Sequence, residues 1–551
     1  MSDPTPSPPA GTRLWRRVGD CLRAFIGASS DPINLAVLRL VVFAWLILAL
    51  ARTDFVHYTQ IPPALRVPPT GYAGFFHLIP WDPTWVRVAQ VVTLAACLCA
   101  CLGLMARGAA LVACLGALYL LGLPELFGKV DHVHHHLIWF AALLAASRCG
   151  DALSIDALRA ALQRADRGAA SDPPGPSVAY GLPLRCAWLL IGVAYFFPGI
   201  AKLRAGPAWI LSDNLKYLMH GFWAAKGFVP AIRIDRYPLV YRAAAAATVA
   251  FEVGFLPALF VPRLRRLAVI GGVAFHILTA IYLRILFAAL LVCYVVFVDW
   301  AALLAAAGRR LFPARLVVAY DGQLRSSRRL VAALQSVDVL RAVEWRDTAS
   351  DTRGQADERD PFVLALAGAR GAKRGPIPFR LLARLPLALP LVPLLAWLAG
   401  GASAGAPPAV RREPAGTFGP AVVGGLLLAA NIYCGIFSID SWPFSVFPRF
   451  AGIARPERTA LEVVVRSPAG ELTNVNPGLR PQALVHLLQA TGRDQQARVA
   501  ALEDYLVRHE VTLAAGERLE VYEVTRSTAP EDRGREPLQR KLIAQLDPSA
   551  E

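Results

Sequence analysis

Of the 551 residues only six are lysine, whereas 51 are arginine. Under such a bias a position that needs only a positive charge drifts to arginine. A position that needs an amine able to give up its proton does not, because a guanidinium stays charged. Lys202 ends the apolar stretch Trp188 to Ile200 and precedes Trp209. A lysine held neutral there is a general base near neutral pH; the same placement also suits a lysine that lays its stem along a helix end and anchors it at the headgroups. A second cluster is Asp131-His132-Val133-His134-His135-His136. His132 and His136, four apart, share a helix face and with Asp131 resemble half of a metal box. A membrane di-metal centre would need several such clusters, so no metal is predicted. The other readings are an imidazole that hydrogen-bonds an anionic substrate and a plain polar helix start. Arg39, Glu252, His276 and Arg284 complete the set of ionisable residues within apolar runs. Each costs free energy in hydrocarbon and is a site candidate by default. Glu252 and Arg284 are expected to pair across neighbouring spans, Arg39 to serve helix packing, and His276 to serve either packing or function.

The elements that must position these residues are membrane helices. Hydrophobic residues make up 55% of the chain, charged residues 18%, and the mean hydropathy is +0.44. Collagen-like, disordered and disulfide-rich secreted classes are excluded. The nine cysteines include no C-x-x-C pair, so no disulfide framework is expected. The formal charge of +17 needs no nucleic-acid partner, since basic residues collect in cytoplasmic loops. Met1 to Arg23 lacks an apolar core with a cleavage site, so no removable signal peptide is expected. A span needs about 20 apolar residues, and eight stretches qualify: Ile33–Ala51, Val88–Met105, Ala109–Leu126, His136–Ser147, Leu184–Ile200, Val240–Val261, Leu267–Leu283 and Ile285–Trp300. The fourth is short unless it begins inside the histidine cluster. Arg13, Arg16, Arg17 and Arg23, then Arg148 to Arg167, Arg263 to Arg266, and Arg309 and Arg310 all fall on one side. That side is assigned to the cytoplasm, with the N-terminus inside. The histidine cluster and Lys202 then share the opposite face.

The expected fold class is predominantly α: a polytopic bundle of about eight to nine spans with a small α/β insert and a C-terminal α+β unit. The divisions are a cytoplasmic arm at 1–30, the bundle at 31–300, the insert at 312–400, an additional span at 419–439 and a soluble domain at 440–551. Arg315 to Asp360 reads as strand, turn, helix, strand, with Asp321-Gly322 as the turn. Phe379 to Gly400 carries Arg380, Arg384 and three prolines, which suits a packed or interfacial helix better than a span. In the tail, strands near Glu462 and Leu519 flank a helical stretch near Gln482 to Leu506.

Two resemblances follow from these residues. Tyr195-Phe196-Phe197-Pro198-Gly199-Ile200-Ala201-Lys202-Leu203 with Trp209, together with the histidine run and Ser154-Ile155-Asp156, resembles the horizontally transferred transmembrane (HTTM) domain shared with vitamin K-dependent gamma-carboxylases. It covers roughly Asp31 to Trp300. The resemblance implies Lys202 as the base that deprotonates reduced vitamin K and a histidine of the run as its assistant. His136 aligns best, with His134 and His135 as alternatives. The implied cofactor is a reduced, vitamin K-like quinone, and the implied partners are the lipid bilayer and a peptide or small-molecule substrate. The implied location is the bacterial inner membrane. Second, Tyr320-Asp321-Gly322-Gln323-Leu324-Arg325-Ser326-Ser327 resembles the opening of a DCC-type thioredoxin-like domain, with Leu324 and Ser327 where its cysteines belong. Leucine forms no thiolate, so the insert is a degenerate scaffold without dithiol exchange. Two other classes stay open: a transporter or lipid-binding protein with Lys202, Glu252, His276 and Arg284 along a polar path, and a non-catalytic membrane scaffold. An enzyme needs Lys202 and a histidine in one pocket.

Overall fold

The computed structural model describes residues 10–347, 416–474 and 514–546, apart from parts of 62–77 and 321–324 and the positions 128–129, 169–172, 312–315, 342, 447–449, 471 and 515. The expected helices near Phe379 to Gly400 and Gln482 to Leu506 lie outside the described residues.

The helices run in the order α1 (Ala10–Ile26), α2 (Pro32–Arg52), α3 (Val56–Gln60), α4 (Pro83–Leu102), α5 (Ala106–Gly122), α6 (His135–Ala146), α7 (Ile155–Asp166), α8 (Val178–Arg204), α9 (Ala208–Leu211), α10 (Asn214–Lys226), α11 (Pro238–Ala258), α12 (Pro262–Leu283), α13 (Ala288–Cys293) and α14 (Trp300–Leu311). Next come β1 (Leu316–Tyr320), α15 (Arg325–Val337) and β2 (Val343–Asp347), then α16 (Phe418–Phe437). The chain closes on β3 (Glu457–Arg466), β4 (Leu472–Asn474), β5 (Arg518–Ser527) and β6 (Gln539–Leu546). Among the described residues seven helices are long and apolar enough to cross a membrane. Local chemistry fixes their ends. Asp31 and Asp82 accept the first amides of α2 and α4, each followed by proline at the first helical position, and α4 stops on Gly103 in the left-handed region.

The centre of the bundle is α2, α5, α6 and α8, whose Leu, Phe, Trp and Ala side chains form one buried cluster. Helices α4 and α12 keep most of their apolar surface outward, which suits lipid as their solvent. Two expectations change. The segment expected to cross as Ile285–Trp300 is helical only over Ala288–Phe297, and α14 leaves its end at 72°. The break has a cause in the sequence. Asp299 accepts the amide of Ala302 at the start of α14, and Asn34 holds Asp299 and the amide of Ala301, so a new helix starts there. Helix α6 starts at His135 and is 12 residues long, about 18 Å at 1.5 Å per residue, which is well short of the hydrocarbon thickness.

Arg39, fully buried on α2, donates to the carbonyls of Cys149, Ala152 and Leu153 and of Cys101. It thereby fastens the turn before α7 to the end of α4. Ser154 caps α7 through the amide of Ala157, and Asp156 accepts the amides of Met105 and Ala106 at the start of α5. The Ser-Ile-Asp signature is therefore a double helix cap. Outside the bundle, β1 and β2 pair in parallel around α15, which docks on α7 through Arg325 and Arg329 to Asp166. The chain after α16 forms an antiparallel sheet in the order β4-β3-β5-β6.

Candidate functional site

Helix α8 carries two polar groups on one face. Tyr195 and Lys202 are seven residues apart, which is two turns or about 10 Å along the axis. Pro198 lies between them and lacks the amide that would bond the carbonyl of Ala194. Tyr195, Ala194, Pro198 and Lys202 all line one cavity of about 180 Å³. Helix α11 supplies Glu252 to it, α12 supplies His276, α6 supplies His136 and Trp139, and α9 supplies Trp209. Phe275, Phe287 and Leu290 add apolar wall.

At one end Lys202, 2% exposed, donates from Nζ to both oxygens of Glu252 at 2.7 and 2.6 Å. Its ammonium position lies 5.5 Å from the Trp209 ring centre, within cation–π range. The closeness of α8 and α11 that makes this pair depends on Gly199, because a Cβ there would meet Val253 and Glu252 at 2.8 to 2.9 Å. Glu252 does not meet Arg284, as the sequence had suggested. Arg284 lies just past the end of α12 in a left-handed conformation, its guanidinium over the Phe228 ring at 4.4 Å. The chain turns there before it can face α11, and the carboxylate is left to lysine.

The imidazoles occupy different surroundings. His136 is buried and hydrogen-bonded to the backbone of Ala289, and its Nε2 has no partner among the described residues. His276 Nε2 and Tyr195 Oη share a hydrogen bond of 2.6 Å, and Tyr195 Oη meets Tyr294 Oη at 2.7 Å. The Nδ1 of His276 has no partner among the described residues. His132 also reaches the cavity, with Nε2 at 2.7 Å from Asp440 Oδ1 and 3.0 Å from Ser445 Oγ. His134 and His135 do not line it: His134 stands at the start of α6, and His135 packs against Trp442 and Trp139. The segment after α16 closes this side, since Trp139 donates to the Pro443 carbonyl and Trp209 to that of Phe450.

Lys202, His136, His132, Glu252, His276 and Trp209 thus share one cavity, whereas His134, His135 and Arg284 stand outside it. Residues 28–300 match the family described as the HTTM domain. This is an HTTM-domain protein. No curated protein and no solved structure matches the chain. The cavity lies within the HTTM domain except for Phe450, and the residues Asp440 and Ser445 that hold His132 also come from beyond the domain. Tyr195 and Tyr294 were missed as site residues by sequence reasoning. A hydroxyl two turns from Lys202 on an apolar helix was the available signal for Tyr195. Tyr294 carries none, because only folding brings α13 and its continuation to α8.

Proposed function

We propose that the HTTM domain deprotonates a reduced quinone, as its resemblance to vitamin K-dependent gamma-carboxylases implies, with Lys202 as the base. The observation that carries this reading is a buried amine–carboxyl pair and two imidazole nitrogens without a partner among the described residues, around one apolar cavity. Those orphaned nitrogens fit a flat aromatic ring with polar edges, which would meet them where protein does not. The bound quinol supplies an acidic hydroxyl and, once ionised, the electrons for reaction with oxygen. This chemistry requires Lys202 and Glu252 to share one proton. In apolar surroundings the neutral arrangement, amine beside carboxylic acid, avoids the desolvation of two charges. The amine takes the hydroxyl proton at Nζ, and the ammonium then faces the substrate oxyanion while Glu252 stays neutral. His136, as the resemblance implies, steadies that oxyanion; its other ring nitrogen is held by the Ala289 backbone, so Nε2 donates to the oxyanion only in the doubly protonated ring. Aromatic walls keep water away, which strengthens each of these interactions.

In this reading the protein is set in a bacterial inner membrane with its N-terminus cytoplasmic and its cavity toward the opposite face, and the insert built on β1, α15 and β2 is a redox-inert, DCC-like scaffold. The final substrate is a peptide or a small molecule. The test compares oxygen consumption by the purified protein with a reduced naphthoquinone against Lys202→Ala and Lys202→Arg. Arginine keeps a positive charge but does not serve as a base, so both variants are expected to lose turnover by at least about 100-fold, within the usual range for a general base. Equal rates in the wild type and Lys202→Arg would overturn the reading and leave a non-catalytic membrane scaffold.

A further inference from the structure

Behind the cavity's other end stands a chain of three polar groups that the Lys202 chemistry does not use. Tyr294, Tyr195 and His276 are 5%, 6% and 1% exposed and joined by hydrogen bonds of 2.7 and 2.6 Å. Phe251, Phe255, Phe275 and Phe287 surround them. Phenylalanine would fill the same space without polar atoms to satisfy, and burying a nitrogen without a partner is costly. Yet His276 Nδ1 has none among the described residues, while its ring lines the cavity.

We propose that Tyr195 and His276, backed by Tyr294, form a second polar pole that binds the far oxygen of a two-oxygen aromatic ring whose near hydroxyl faces Lys202. The inference rests on the quinol reading above and names the residues that choose its substrate. The two poles rise from one helix face, about 10 Å apart along α8, with Pro198 and the apolar wall between them. A ring oxygenated at one edge only would satisfy the Lys202 end and leave the other bare. The chain of hydroxyls also adapts to the oxidation state of the ring. When Tyr294 donates to Tyr195 and Tyr195 to His276 Nε2, the Nδ1 proton points to the ligand and serves a carbonyl. When His276 Nε2 donates to Tyr195, Nδ1 accepts and serves a hydroxyl. Reversal of three hydrogen bonds therefore lets one site hold the reduced and the oxidised ring.

The test is a binding measurement on the full chain in detergent, read from quenching of tryptophan fluorescence under anaerobic conditions. The probes are 1,4-dihydroxynaphthalene and 1-naphthol. The wild type is expected to prefer the two-oxygen probe by about tenfold, the worth of one good hydrogen bond. Tyr195→Phe and His276→Phe are expected to erase that preference and leave 1-naphthol affinity unchanged, whereas Lys202→Ala weakens both probes. Preference retained in both variants, or absent from the wild type, overturns the second pole and spares the Lys202 reading. A wild type that binds neither probe overturns both. Tyr195→Phe keeps the ring and its packing; if a variant melts early, the wild-type preference still decides.

Discussion

Lys202 and Glu252 are each almost fully buried and have each other as hydrogen-bond partners. Removal of one member of such a pair leaves a charge or an unsatisfied polar group in the bundle and costs about 3 to 5 kcal/mol, while replacement of both by apolar residues is close to neutral. Lys202→Met and Glu252→Leu alone should therefore lower the melting temperature in detergent, and the double variant should recover most of it while turning over no quinol. A double variant no more stable than the singles would mean that the pair has no such coupling. This separates a structural pair from a chemical one, since recovery of stability without activity assigns the chemistry to the pair. Lys202 was legible because an arginine-rich chain had kept a lysine there. Its partner was not, although Glu252 was already suspect: the sequence places Arg284 as near to it as Lys202, and only the register of α8 on α11 decides between them.

That register depends on small residues at the helix crossing. Gly199 admits α11 so closely that a Cβ would stand 3.0 Å from the Val253 amide nitrogen as well as against two side chains. Backbone cannot swing aside as a flexible side chain can, so Gly199→Ala should push α11 outward at about 1 to 3 kcal/mol, the range for overpacking. The expected signature is a lower melting temperature together with reduced quinol turnover, because the displacement lengthens the Lys202–Glu252 contact. A variant with wild-type melting and turnover would show that the crossing has slack. The long spans were legible from their apolar runs alone, since hydrocarbon demands continuous helices. Two features were not. The shortness of α6 was visible, but the cover over its approach was not: Asp440 and Ser445, some 300 positions later, hold His132. The expected span Ile285–Trp300 stops at a bend, beyond which α14 continues at 72°; Asp299 was the visible cue.

The whole molecule joins the bundle to its C-terminal sheet through a polar knot beside α10. Arg533, between β5 and β6, donates to the carbonyls of Trp223 and Phe228 where α10 ends, which satisfies carbonyls that a helix end leaves open. Next to it Arg233 bridges Asp235 and Glu531, and His220 Nε2 stands 2.9 Å from Asp235. Burial pushes the Asp235 carboxyl upward, but the hydrogen bonds from Arg233 and His220 outweigh it and hold the group at about 2. Glu531 is also held low, by a backbone hydrogen bond and by Arg233. A carboxyl whose folded value lies below its usual value near 4 stabilises the folded state fully above that value. The contribution is lost as pH falls toward 2. Docking of the C-terminal sheet should therefore weaken between about pH 4 and pH 2, the window from that usual value down to the value held in the fold, and remain unchanged from pH 5 to 7 as far as this carboxyl is concerned. Acid-stable protease digestion across that range should release the tail progressively below pH 4, and Asp235→Asn should release it at every pH because the amide cannot replace the charge that Arg233 and His220 share. A tail equally protected at pH 2 and pH 6, in the wild type and in Asp235→Asn alike, would show that the sheet is held by its other contacts and that the knot beside α10 contributes nothing to the docking.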